Sequence, residues 1–305
     1  MKQIRIGYLS TLYHTSHILK HQGSIDVELG VEAQWRLFGT GPAMIDAFAR
    51  RELDLGYIGL PPAMIGISHE LPLKCIAGGH IEGTVLVGPA ALGTAEDLQQ
   101  MGTILAGFAG KKIGAPARGS IHDIIIRHLL YKNGVAGASV VNYPWADLMP
   151  QAIADGEIAA AVGTPPLAAV AQAWYGHSII IPPRLLWPFN PSYGIIVHAA
   201  MLKEQGFLEG FIGLHEKACT SIREQPLEAA RIVSQAVKVV DAEFVQNVFA
   251  ISPHYCAALP QPYRAATMAF VPVLRELGYI DRELSEQEVF DQSFIGQVHA
   301  GPHHY

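Results

Sequence analysis

The sequence predicts an α/β protein of two similar lobes followed by an all-helical tail. Three observations carry this. Strand-like and helix-like runs alternate over the first two thirds of the chain, which implies parallel-rich sheets with helices on both faces. A unit of acidic turn, apolar strand, glycine and paired prolines occurs twice. Beyond Gly206 only helical spacing remains.

In chain order, residues 4–9 form a β-rich run, and 14–21 a helix with Thr11, Thr15 or Ser16 available as N-cap. Residues 30–37 form a second strand. Residues 42–51 form a helix with Pro42 in its first turn, where a missing N–H costs nothing. A third strand, 53–58, is followed by Pro61-Pro62 at the head of the next helix. The run Glu52-Leu53-Asp54-Leu55-Gly56-Tyr57-Ile58-Gly59-Leu60-Pro61-Pro62 has a counterpart in Glu157-Ile158-Ala159-Ala160-Ala161-Val162-Gly163-Thr164-Pro165-Pro166. A second pair agrees: Ile6-Gly7 leads through a polar loop to His14, and Ile113-Gly114 through Arg118-Gly119-Ser120 to His122. In the tail, residues 207–223, 227–240, 244–250 and 263–277 carry apolar side chains at helical spacing, and Gly278 is a stop. With few clustered polar residues, the tail reads as scaffold.

Composition narrows the function. The chain has 305 residues, 21 Lys+Arg against 27 Asp+Glu and a net charge of −6; half its residues are hydrophobic and 16% are charged. Disorder would need the opposite balance, and a nucleic-acid binder would need a basic excess. The length suits about two domains of ~150 residues. Cys75, Cys219 and Cys256 lie far apart in no ligand spacing, so neither a disulfide framework nor a zinc site is expected. The longest uncharged stretch, 158–183, is broken by Pro165-Pro166 and Pro182-Pro183, a poor membrane span. No basic start with an apolar core precedes the first strand. The chain as it stands is expected in the cytoplasm; with an export signal removed, it is expected in the periplasm or at the cell surface.

The repeats aim four helix N-termini at one cleft, near residues 11–14, 60–62, 120–122 and 164–166. Each offers unpaired N–H groups and partial positive charge. Arg118 is the one basic side chain in these loops, so a neutral or singly charged ligand is expected rather than a multiply charged phosphate. In Gly78-Gly79-His80-Ile81-Glu82-Gly83-Thr84, His80 and Glu82 share a face if the strand runs through; ligand contact and a hinge-stabilising hydrogen bond both fit. His14, His17 and His21, even with His80, Glu82 and His122, match no strict metal motif. Trp187-Pro188-Phe189-Asn190-Pro191-Ser192-Tyr193 suits a planar ligand or an aromatic loop packed on the core, and Tyr143-Pro144-Trp145-Ala146-Asp147 is similar. There is no G-x-S-x-G, Walker, G-x-G-x-x-G or H-E-x-x-H pattern. No catalytic residue, metal or cofactor is therefore assigned.

The runs Gly41-Pro42-Ala43-Met44, Gly56-Tyr57-Ile58-Gly59-Leu60-Pro61-Pro62, Phe108-Ala109-Gly110-Lys111-Lys112-Ile113-Gly114, Gly119-Ser120-Ile121-His122 and Gly156-Glu157-Ile158-Ala159-Ala160 resemble the sulfonate, nitrate, taurine and thiamine-pyrimidine-precursor group of ABC-transporter substrate-binding proteins. The resemblance reaches about Gly278-Tyr279-Ile280; the family usually has an acid where Ala159 stands. It implies the type II periplasmic-binding-protein fold, with two crossovers and the helical tail packed on the first lobe. Lobe one is then 1–86 plus 191–305, and lobe two 87–190. It also implies a monomer that closes on a small molecule and docks on a permease, without entering the membrane or binding nucleic acid. The alternative is a cytoplasmic enzyme on the same fold, resembling the thiamine-pyrimidine synthase or menaquinone-pathway enzymes. The candidate contact residues are Ser10, Thr11, His14, Gly59, Leu60, Pro61, His80, Glu82, Thr84, Gly119, Ser120, His122, Trp145, Thr164, Asn190 and Tyr193.

Overall fold

A computed structural model describes residues 2–305. Ten strands build two five-stranded sheets. The strands are β1 (Lys2–Leu9), β2 (Val31–Phe38), β3 (Leu55–Ile58), β4 (Leu73–Ile81), β5 (Val85–Pro89), β6 (Lys112–Pro116), β7 (Ser139–Tyr143), β8 (Ala160–Gly163), β9 (His177–Ile181) and β10 (Pro191–His198). The sheet orders are β2-β1-β3-β10-β4 and β7-β6-β8-β5-β9. In each, three parallel strands are joined by a fourth, antiparallel one that the chain delivers after leaving the other sheet. The sequence repeat thus becomes a structural one. Ile6 and Gly7 pair with Leu55 and Gly56, and Ile113 and Gly114 pair with Ala160 and Ala161.

The repeated glycines have a packing reason. A Cβ on Gly56 would lie 2.6 Å from Met44 Sδ, and one on Gly7 3.0 Å from the same sulfur. In the second sheet Met149 reaches Gly114, its Sδ 3.2 Å from a Cβ placed there, with Ile158 nearer still at 2.6 Å; Gly163 makes room for Leu167, 2.6 Å from its Cβ. Each sheet is notched at these glycines, and a flexible methionine seats against a notch in both.

The two passages between the sheets, residues 82–84 and 182–190, lie side by side. Glu82 N–H donates to Asn190 O (2.8 Å), Phe189 N–H donates to Glu82 Oε1 (3.0 Å), and Gly83 N–H donates to Ser192 Oγ. Glu82 (φ 57°) and Phe189 (φ 59°) are both left-handed, one on each passage. That conformation costs a non-glycine residue about 1 kcal/mol or more, so the reciprocal bonds hold it. It also corrects the face assignment: the strand ends at Ile81, and the turn at Glu82 sends its side chain away from His80.

The tail is helical, with its long predicted segment 263–277 divided at Ala269 into Gln261–Met268 and Phe270–Glu276. Helix Gln205–Glu224 packs on β4, and helix Pro226–Val237 on helix Ser16–Gln22. The tail also reaches the second sheet's helices. Ala242–Ile251 packs on Pro165–Tyr175 and Phe270–Glu276 on Ile121–Lys132, while Trp187 stacks on Phe270 with centroids 3.8 Å apart. No helix among the described residues is long and apolar enough to cross a membrane.

Candidate functional site: a cleft between two sheets

A cavity of about 920 Å³ opens where the parallel strands of both sheets end. The carboxyl ends of such strands are where open α/β sheets bind ligands, because side chains cannot fill the gap between diverging loops. Ser10, Thr11, Gly59, Ser120, His122 and Thr164 all line it, so the structure brings these expected residues together from four segments and both sheets.

The other expected residues stand behind or beside the wall. Thr84 Oγ1 and His122 Nδ1 are 3.0 Å apart, which fixes the His122 ring and leaves Nε2 for the cleft; burial holds this imidazole neutral, with its pKa lowered to about 4. His14 precedes the helix that begins at Ser16. It turns into the lobe against Tyr193 (4.0 Å between centroids), neither ring nitrogen having a protein partner. His80 is fully buried between Tyr13 and Tyr255 and donates Nε2–H to Ser252 O (2.6 Å). Its side chain does not line the cavity, and the bond to Ser252 corresponds to the second of the two readings the sequence allowed, a stabilising hydrogen bond. Glu82 and Asn190 belong to the paired passages, with Asn190 Oδ1 accepting from Ser192 Oγ (3.2 Å). Tyr193 is buried, its hydroxyl 3.4 Å from Thr15. Leu60 and Pro61 are buried beneath Gly59. Trp145 is partly exposed at the cleft mouth, its ring 3.1 Å from a Cβ placed on Gly39.

The helix N-termini offer fewer free donors than expected. Pro61-Pro62 and Pro165-Pro166 occupy first turns and have no N–H to give. Gly119 N–H is spent on Asp123 Oδ2 (2.9 Å), and Ser120 N–H on Ala117 O (3.0 Å). The Asp123 carboxylate, fully buried, lies at the head of its own helix and also accepts from Arg127, Asn142 and Tyr279. The internal acid already complements the positive end of the Ile121–Lys132 helix dipole. Arg118 lies over the Tyr279 ring, 5.7 Å from its centroid, and does not line the cleft.

Several wall residues were not among the expected contacts. Lys20 lies over the Tyr8 ring (4.6 Å) and donates to the Tyr8 hydroxyl (2.6 Å). His17 donates Nε2–H to Thr11 O (3.0 Å), and burial lowers its pKa to about 4. The opposite wall is apolar: Trp174 stacks on Phe244 (5.5 Å, 6° between planes), beside Val237, Val239 and Val240. Phe244 and the valines belong to the tail, which therefore contributes directly to the cleft and is more than scaffold. Nothing in the sequence marked this wall; in the structure Trp174 and Val239 are large apolar residues left exposed.

A model of the NMT1-like family matches residues 1–238 of the 305. The chain belongs to that family. A curated protein of Brucella abortus, described by its name as a binding protein, is 26% identical to this NMT1-like chain over 133 residues; the match covers 43% of this chain and 38% of that protein's length. Among solved structures, the alkanesulfonate-binding protein of Xanthomonas axonopodis pv. citri, bound to MOPS, superposes with a TM-score of 0.79 at 16% identity, covering 95% of this chain and 98% of that one. The periplasmic nitrate-binding protein of Synechocystis PCC 6803 superposes with a TM-score of 0.76 at 14% identity, covering 98% and 88%. The fold of this NMT1-like protein is that of the type II periplasmic binding proteins.

Proposed function

We propose that this chain is the solute-binding component of an ABC import system, closing two lobes on one small organic molecule and presenting it to a permease. The observation that carries the reading is the cleft itself. It lies between two similar sheets linked by the paired passages, by the tail and by the packing of helix Leu60–Ser68 on helix Ile121–Lys132, and polar groups from both sheets converge in it. The lobe boundaries, expected at 86/87 and 190/191, belong to the same proposal; the first is moved into the passage 82–84, because Val85 and Leu86 pair with Gly163 and Val162 of the second sheet, and the second stays at the end of the passage 182–190.

The wall chemistry favours a neutral or singly charged ligand with a flat or apolar face. Prolines and Asp123 remove helix-terminal capacity for a multiply charged anion, while Lys20 offers one cation and Trp174 with Phe244 a stacking surface. The contacts we assign are Ser10, Thr11, Ser120, His122 and Thr164 on the polar side and Trp174 on the apolar side. His14, Thr84 and Tyr193 act from behind the wall.

The test is a thermal-shift screen with aliphatic sulfonates, nitrate, aromatic carboxylates and neutral heterocycles, followed by calorimetry. The reading predicts that a molecule of the last two kinds raises the melting temperature, and that Trp174→Ala weakens it by roughly 0.5–1.5 kcal/mol, the worth of an aromatic contact. Stabilisation that persists unchanged in a Thr11→Trp variant, which fills the cleft, would contradict it.

A further inference from the structure

Away from the cleft, the last residues of the chain fold back over helix Gln205–Glu224 and the loop after Ile251. Donor atoms of Glu216, His299 and His304 there lie within 4.8 Å of one another. A fourth donor adjoins them: Cys256 Sγ is 3.4 Å from His299 Nε2. Nε2 is thus the nitrogen that faces the thiol, while Nδ1, on the other edge of the ring, is buried with no hydrogen-bond partner. We propose that Glu216, Cys256, His299 and His304 form a structural site for a divalent metal ion of the zinc class.

The donor set is the one a borderline-soft, tetrahedral ion takes: two imidazoles, a thiolate and a carboxylate. Bonds of about 2.0–2.3 Å ask for donor separations of roughly 3.3–3.7 Å. The Cys256–His299 pair already has such a spacing, and exposed His304 has the freedom to close the rest. Glu216 is preset by its neighbours: Ala257 N–H donates to Oε2 (2.6 Å) and Arg223 to Oε1 (3.0 Å). Such outer hydrogen bonds orient a ligating carboxylate. Charge closes as well. Thiolate plus carboxylate balance the ion's two charges, so Arg223 does not face a net positive centre. The Cys256 thiol gives up its proton to solvent as the metal–sulfur bond forms.

The position gives the ion a structural consequence. Cys256 N–H donates to Gly79 O (3.2 Å), Gly78 N–H donates to Ala257 O (2.8 Å), and the Tyr305 hydroxyl donates to Ala258 O (3.1 Å). A metal here would bind the chain's last residues, helix Gln205–Glu224 and β4 to one another just before β4 enters the hinge.

The experiment uses the full 305-residue chain, freed of metal by a chelator and titrated with zinc by calorimetry, then with cobalt(II) by absorption. The proposal predicts one equivalent of zinc, a higher melting temperature with it, and a thiolate-to-cobalt charge-transfer band that disappears in Cys256→Ser. It predicts that His304→Gln, a change at an exposed position that leaves the fold intact, weakens zinc by tenfold or more, since removing even an outer-sphere partner costs roughly 10–100-fold. No binding at stoichiometric zinc, or binding equally tight in Cys256→Ser and His304→Gln, would overturn it; the second result would move the ion to other histidines such as His17 and His21.

Discussion

Glu82 shows how one residue's backbone decides what its neighbours do. Its left-handed conformation ends β4, turns its carboxylate from the face His80 occupies, and sets Oε1 against Phe189 N–H on the opposite passage. Replacing it with Ala keeps the unfavourable φ and removes the acceptor. Glu82→Ala should therefore destabilise the protein by about 1.5–3 kcal/mol, the range for a hydrogen bond to a charged group, and Glu82→Gln, which keeps an acceptor oxygen, by clearly less. Urea unfolding of the two variants checks this; equal losses would mean that the bond contributes nothing. The same residue explains why Glu82 and His80 do not share a face as spacing alone suggests. Alternation along 78–84 puts both side chains on one face, and only a φ that no spacing rule reveals breaks it. The partner set of the proposed metal site was equally hidden, because residues 216, 256, 299 and 304 meet only through the folding back of the tail.

At the scale of elements, the strand–loop–helix units were legible because their packing is written as glycines. Gly7 and Gly56 accept Met44, Gly114 accepts Ile158 and Met149, Gly163 accepts Leu167, and the repeated units that carry these glycines become the two sheets in space. Less legible was how the helix heads are used, since a proline is as good a first-turn residue whether or not a ligand needs its N–H. Ser120 serves two ends: its Oγ accepts from Asp123 N–H (3.3 Å) as N-cap of Ile121–Lys132, and the residue lines the cleft. Ser120→Ala should cost about 0.5–2 kcal/mol of stability from the lost cap, and ligand affinity should drop by roughly 0.5–1.5 kcal/mol. Denaturation and calorimetry separate the two. Stability lost with affinity unchanged would leave Ser120 as a cap alone.

For the whole molecule, the buried imidazoles set a pH dependence. Burial is the main cause that lowers His17, His122 and His215 to about 4 and His80 to about 3, while burial and then its neighbouring histidines hold His14 well below its ordinary value. In the unfolded chain each titrates near 6.5. Between about pH 6.5 and 4 the unfolded state binds more protons than the folded one, so stability falls as pH falls through this window and is fully present above it. The denaturation midpoint should hold steady above about pH 7 and decline steadily below 6.5. A midpoint independent of pH down to 4 would show that these rings titrate in the fold as they do in the unfolded chain. Acid unfolding of this kind bears on the cleft, because His17 and His122 line it while His14 and His80 lie in the lobe behind it.

On the proposed reading, two similar sheets, hydrogen-bonded passages between them and a polar–apolar cleft together make a device that holds a molecule and returns it. Mass spectrometry of the small molecules released on denaturing the purified protein, before and after incubation with an excess of the same compound, tests that claim most directly. The account predicts one neutral or singly charged organic compound, recovered chemically unaltered and absent from the Thr11→Trp variant. A compound retained equally by that variant would contradict the cleft as its site, and one converted by the protein into a product of different mass would contradict binding as the function.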